Sequence, residues 1–456
     1  MDHKRALKNT KRLSLRRLSA IAGVSIGAPI LVGALILLVF GGAILNRYVK
    51  GKAERAFSAA HPGSALRIGK LGYSIFTNRL VAQSVTLSAT NSTLNAGRIS
   101  LTGVRWAKLL SKRASLADVL AHANLEATNI AAEHPRSRHV IRCAQLQASV
   151  PDSEMIVKEA ELRPLVGDEE FFSAHDFSAA RFRVVVPECR VLGLAYGELL
   201  RGKSYRARSV SFSRPTFEAL VNRAKPLKPV VKSRLMVHEA LAAIRQPLQV
   251  DSLSITNGHI RYCERMAAGA DPGVLTFGDV DMSVEGIANR AKATAAVLLR
   301  AQGDLMDAGT LKVQISIPIT PSDFSFSYIG SLSAMDLTRL NPFFEIVGHA
   351  RIKSGRAQKV EFEVKTTSGQ ARGRVRAVYS DLELAVLDKF TGTEEGLDNR
   401  IASFLANELK IRSANTPDAS GSIKEGEVSY QRRPEDTFLA FMWFALRSGV
   451  LDVIFY

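Results

Sequence analysis

The sequence predicts a mainly β protein: a single N-terminal transmembrane helix, then a sheet of antiparallel type with short helices, and an apolar C-terminal helix. Two observations carry this. Residues 311–317, 324–328 and 360–365 alternate apolar and polar side chains strictly. Period-two patterning gives a strand one apolar and one wet face, which antiparallel sheets tolerate and doubly covered parallel sheets do not. The second observation is the uncharged run 18–46, in which Ile26 to Leu45 alone supplies the roughly 20 apolar residues that a membrane-crossing helix needs.

The flanks of that run set its direction. Lys4, Arg5, Lys8, Lys11, Arg12, Arg16 and Arg17 precede it and face only Asp2, whereas Arg47, Lys50 and Lys52 form a weaker cluster beyond. The positive-inside bias places the tail 1–17 in the cytoplasm and the bulk of the chain across the membrane. A cleaved signal peptide has a shorter apolar core and a small-residue cleavage site, and Tyr48-Val49-Lys50 offers no such site. Gly23-Val24-Ser25-Ile26-Gly27 matches a nucleophile elbow formally, but a membrane span lacks the strand-turn-helix context which that motif requires.

A length of 456 residues suits two or three domains, and the formal net charge is +18. Across a membrane, phospholipid headgroups are the nearest anions for a basic surface. No basic motif interleaved with aromatics points to nucleic acid. Cys143, Cys189 and Cys263 are odd in number and far apart, without Cys-x-x-Cys, and read as buried free thiols, one disulfide being the alternative in an oxidising compartment. The histidines form no zinc pattern, His175-Asp176 has no partner histidines in helical context, and no glycine loop cradles a phosphate. The reading is therefore non-enzymatic, with no catalytic residue, metal or cofactor.

Taken in order, 48–60 reads as a short helix, ended by His61-Pro62-Gly63. Strands are expected around 80–87, 94–101, 138–148, 181–186 and 206–212. An internal repeat links Gly103, Trp106, Leu109 and Leu110 with Gly193, Tyr196, Leu199 and Leu200. In each copy a strand ends at glycine, and a helical turn folds its aromatic and leucines back over the sheet. Pro226, Pro229 and Pro247 bracket a helical stretch, 231–245, and mark the main internal boundary. The expected parts are 47–246, 247–412, and a linker with the C-terminal helix over 413–456. Beyond Pro247, 251–262 reads as a strand broken by Asn257-Gly258, 336–344 as a short helix, and 382–390 and 399–409 as helical. Residues 415–426 read as a polar linker, and 427–432 as a last strand. Pro434-Glu435-Asp436 then opens an apolar helix too short to span a bilayer.

The stretches 248–262, 330–342, 352–355 and 373–382, with Asn257-Gly258, Asp336, Asn341-Pro342, Ser354-Gly355 and Tyr379, together with the single anchor, resemble AsmA-type envelope proteins of the repeating β-groove lipid-transfer group. The resemblance covers roughly 47–456. It implies a long, highly curved sheet, anchored in the bacterial inner membrane and projecting into the periplasm, whose apolar concave face handles phospholipid for outer-membrane biogenesis. On that reading Leu253, Ile255, Leu311, Val313, Ile315, Ile317, Val360, Phe362 and Val364 line the groove. Phe438, Phe441, Met442, Trp443 and Arg447 dock on a membrane or partner, or else the helix caps the open edge of its own sheet, and inner- or outer-membrane proteins are further partners. Alternation alone serves a closed core equally well. The competing function is an envelope scaffold, or outer-membrane assembly factor, acting through protein contacts.

Overall fold

The computed structural model describes residues 50–60, 63–74, 76–89, 91–105, 108, 115–229, 233–290, 296–319, 324–387 and 411–455. The expected anchor at 18–46, Trp106, Leu109 and Leu110 of the first repeat copy, and the stretch 399–409 lie outside these residues. No helix among the described residues is long and apolar enough to cross a membrane.

Eighteen strands form one long, curved, mixed sheet. They are β1 (Ser64–Ser74), β2 (Arg79–Ala89), β3 (Ser92–Thr102), β4 (Asn124–His134), β5 (His139–Ser149), β6 (Glu154–Pro164), β7 (Ala180–Leu192), β8 (Tyr205–Ser213) and β9 (Thr216–Asn222) in the first half. The second half holds β10 (Leu248–Arg265), β11 (Gly273–Ala288), β12 (Ala296–Leu305), β13 (Gly309–Pro318), β14 (Phe326–Leu332), β15 (Met335–Asp336), β16 (Ala350–Thr367), β17 (Gln370–Val386) and β18 (Glu425–Gln431). The helices are α1 (Lys50–Ala60), α2 (Leu116–Leu120), α3 (Asp168–Ser173), α4 (Tyr196–Leu200), α5 (Val237–Ala242) and α6 (Phe438–Ile454), with a mixed helical elbow over 337–348.

Neighbouring strands pair antiparallel up to β7. There β8 and β9 lie end to end, one against each half of β7, and both run parallel to β10. This seam corrects the purely antiparallel expectation. A parallel pair needs a long crossover, and residues 223–247, with α5, supply it. Antiparallel pairing then resumes through β18.

The first six strands are each 11 residues long and are creased at the same level. Ser84, Asn129 and Glu159, with φ of 53°, 53° and 51°, sit in the left-handed region on alternate strands. Across the same line the pairing skips Gly69, Gly97 and Ala144 without shifting register. At the crease the side-chain alternation slips by one, so Ala82 and Val85, or Ala127 and Ile130, face the same core. Bending every strand at one level curves the sheet about that line.

Two buried clusters occupy the apolar face. The first joins β1–β5 with Phe57 of α1, Val119 and Leu120 of α2, and Tyr196 of α4. Gly193 leaves β7 at φ +67°, and Tyr196 then folds back to donate its hydroxyl to the Glu154 carbonyl at 2.6 Å. The second cluster joins β11–β14 and β16–β18 with Met236 and with Phe441, Ala445 and Val453 of α6, all four wholly buried.

Four local expectations are corrected. Residues 382–386 continue β17 as strand, not helix. The helical stretch at 231–245 contracts to α5. The elbow at 337–348 passes through 3-10, α and π turns instead of one helix. Residues 415–426 are no free linker: buried Asn415 donates to the carbonyls of Ala377 (2.7 Å) and Lys424 (2.9 Å), and β18 begins at Glu425.

Candidate functional site

Register makes the candidate surface. Leu71, Ala82, Ile99, Ala127, Leu146, Val157, Cys189, Phe212, Ile255, Met282, Ala301, Val313, Gly330, Phe362, Val375 and Gly426 stand opposite one another, strand after strand. This is one unbroken apolar row over sixteen strands. The row two residues along is equally apolar, from Tyr73 and Leu80 through Met155, Val210 and Leu253 to Tyr328, Val364 and Val428. A third row lies beyond the crease and runs from Leu66 through Ile141, Val184, Phe217 and Ile260 to Phe277.

The sequence-predicted groove residues all fall on this face. Ile255, Val313 and Phe362 belong to the first row, and Leu253, Ile315 and Val364 to the second. Leu311 and Val360 oppose each other through Leu332, and Ile317 closes the row end opposite Val297. Their environments differ. Val364 is 1% exposed, and Ile315, Ile317 and Phe362 are also buried, in the cluster that α6 closes. Leu253, Ile255, Leu311, Val313 and Val360 are half-buried. Of the predicted docking residues, Phe441 is wholly buried against the sheet and Phe438 and Met442 pack beside it, while Trp443 and Arg447 are exposed.

Between the two cores neither cluster covers the face, and its side chains are half-buried to exposed around buried Val191 and Ala219. Val184, Val210, Phe212, Phe217 and Ile260 belong to neither cluster, and Phe182 and Phe217, with ring centroids 6.0 Å apart, are 37% and 38% exposed. At the rim of this stretch, Arg223 donates to Glu264 from Nε (3.3 Å) and Nη2 (3.0 Å), and the Tyr262 hydroxyl donates to the same carboxylate. Burial alone lowers the Arg223 pKa, but the Glu264 carboxylate more than offsets it and raises the value. Burial, then Glu264, push the Tyr262 phenol up. Sequence reading missed this rim because its members are 41 residues apart.

The opposite face is polar. It carries a cleft of about 1030 Å³ flanked by Arg300, Gln302, Lys312, Gln314, Glu361 and Glu363. Most of its charges are paired on the surface, as in Arg374–Glu363 (3.2 Å) and Arg300–Glu285 (3.2 Å). Across β7, β9 and β10, α3 covers this face. Phe171 and Phe172 pack on Leu220 and Cys263, while Asp168 grips Arg181 at 2.7 Å. Among the described residues no group of three or more His, Cys, Asp or Glu is placed to hold a metal. No protein-family model matches the chain, and no curated protein does.

Proposed function

We propose that this protein is a non-enzymatic lipid handler that holds the acyl chains of phospholipid against its apolar face. The observation that carries the reading is the apolar row unbroken over sixteen strands, together with the stretch that neither core covers around Phe212 of that row, Val210 of the second row and Phe217 of the third. An apolar strip that no core covers, with Phe182 and Phe217 more than a third exposed, is a liability in a monomer unless something occupies it. Together with the AsmA-type resemblance and the basic tail before 18–46, this supports an inner-membrane anchor, a periplasmic sheet, and a part in outer-membrane biogenesis. Phe362 lies inside a closed core, so an informative probe belongs in the uncovered stretch. Full-length protein extracted from membranes should carry phospholipid by mass spectrometry, and Phe212→Glu with Ile255→Glu should lower that load several-fold while the chain stays folded. Lipid at the level of a control membrane protein overturns the proposal.

One observation favours the scaffold reading. The outer side of α6 exposes Leu439 (74%), Trp443 (48%) and Phe444 (37%), a stripe suited to a protein partner. Loss of a crosslinked partner on Trp443→Ala, with lipid load at the control level in both forms, supports the scaffold instead.

A further inference from the structure

The apolar stretch ends in a charge pair of fixed order, beside Phe343 of the elbow, whose ring centroid lies 6.1 Å from that of Tyr262. β9 and β10 run in unbroken parallel register from Thr216–His259 to Asn222–Arg265. On one face β9 therefore presents Phe217, Ala219 and Val221 and leads on to Arg223, while β10 presents Ile260, Tyr262 and Glu264. The other face is occupied by Glu218, Arg261 and Cys263 under α3. The surface passes from apolar to ionic in three side-chain steps along β9, from Phe217 to Arg223, and in two along β10, from Ile260 to Glu264, each of roughly 7 Å. That is the profile of an amphiphile.

The pair has capacity left over. Arg223 uses Nε and Nη2 on Glu264 and also borders the Tyr262 hydroxyl, and its side chain is 37% exposed, which leaves one edge of the guanidinium open to solvent. Glu264 Oε1 takes two donors, whereas Oε2 takes only the longer 3.3 Å bond. Glu264 keeps 11% of its side chain in solvent. Taking a carboxylate this far out of water is costly, and apolar residues of similar size would pack as well.

We infer that this rim is a headgroup subsite for a zwitterionic phospholipid bearing a primary amine, with the phosphodiester on Arg223 and the ammonium on Glu264. The inference rests on the lipid-handling reading and names the lipid class for it. A guanidinium fork matches phosphate oxygens, and a primary ammonium brings three donors to a carboxylate. A glycerol headgroup offers Glu264 no cation, and a quaternary ammonium offers it no N–H donor. The acyl chains then lie back over Ile260, Phe217 and Phe182.

The test uses the full-length protein, loaded from mixed vesicles of phosphatidylethanolamine and phosphatidylglycerol in equal parts and read by mass spectrometry. Wild type is expected to enrich phosphatidylethanolamine roughly fivefold, the discrimination of one partly exposed ion pair. Glu264→Gln should bring the ratio to one, and Arg223→Gln should lower the load of both lipids. If either single variant unfolds, the double variant Arg223→Met/Glu264→Met removes both charges together and leaves no buried ion alone. It should load lipid without preference. A wild-type ratio of one, or a preference that survives in the double variant, overturns the headgroup subsite and leaves the lipid-handling reading intact. No lipid on wild type at all overturns both.

Discussion

His139 is held neutral by its surroundings. Its Nδ1 lies 2.6 Å from the Ser137 carbonyl and donates to it, which leaves Nε2 to accept the Phe182 backbone N–H at 3.4 Å. A second ring proton would point at that N–H. Burial lowers the pKa, and the Arg181 guanidinium adds to the effect. The folded value therefore lies below the unfolded one of about 6.5, so the unfolded chain binds the proton first as the pH falls. The contribution is fully present above about pH 6.5 and is lost below it. Denaturant midpoints should fall as the pH drops below about 6.5, and His139→Gln should flatten that slope; equal slopes in both proteins refute the assignment. Burial also pushes the Cys189 thiol up to about 11 and raises those of Cys143 and Cys263. Since the thiolate is the nucleophile, native protein at pH 8 should alkylate at least roughly tenfold slower than urea-unfolded chain, as read by mass shift.

Helix α6 meets β18 backbone to backbone. A Cβ on Gly426 would stand 2.0 Å from the Gly449 carbonyl oxygen, and one on Gly449 would stand 2.7 Å from methyls of Val375 and Val428. Gly426→Ala or Gly449→Leu should cost at least about 1–3 kcal/mol, measured as a lowered denaturant midpoint. Stopping the chain after Gln431 strips Phe326, Tyr328, Val375 and Val428 of their cover, because Phe326 packs on Phe438 and Tyr328 donates to the Met442 carbonyl at 3.2 Å. That truncation should aggregate; a soluble, lipid-loaded product would mark α6 as a docking element alone. Elements were legible in the sequence where alternation was unbroken, as at β13 and within β16. The crease turns the apolar spacing of β1 to β6 into i, i+2, i+5, i+7; β2, β3 and β5 were still legible through it, whereas β1, β4 and β6 were not. Leu125, Ala127, Ile130 and Ala132 show it, and the middle step resembles a helical one. At 379–386 the left-handed Asp381 does the same to β17, and Leu382 and Leu384 then look helical. The apolar face of the candidate site could be read residue by residue, but its division into covered and uncovered stretches could not. That division depends on where Phe441 and Tyr196 land, each far along the chain from strands of its cluster, Phe441 more than 100 residues from β14 and Tyr196 more than 60 from β1–β4.

At the scale of the molecule, cover and exposure predict a gradient of stability. Amides in β3–β5 and β14–β17 sit beneath a core, whereas β7–β9 have an exposed face, so hydrogen exchange should be slowest in the first two groups and fastest at the seam. Uniform protection along the sheet would contradict this. The crease carries a different implication, one of inheritance. Its left-handed residues fall on every second strand, at Ser84, Asn129 and Glu159, facing a glycine or alanine on the strands between. The interchangeable part is thus a hairpin and not a strand. Duplicating or deleting one hairpin would change the apolar path by about 9.6 Å while every remaining strand kept a neighbour of the right kind. Adding a single strand would set two strands of the same kind side by side, left-handed against left-handed or small against small. Such a chain grows as a zip fastener grows, by whole pairs of teeth, and its span is an evolutionary dial that moves in even steps.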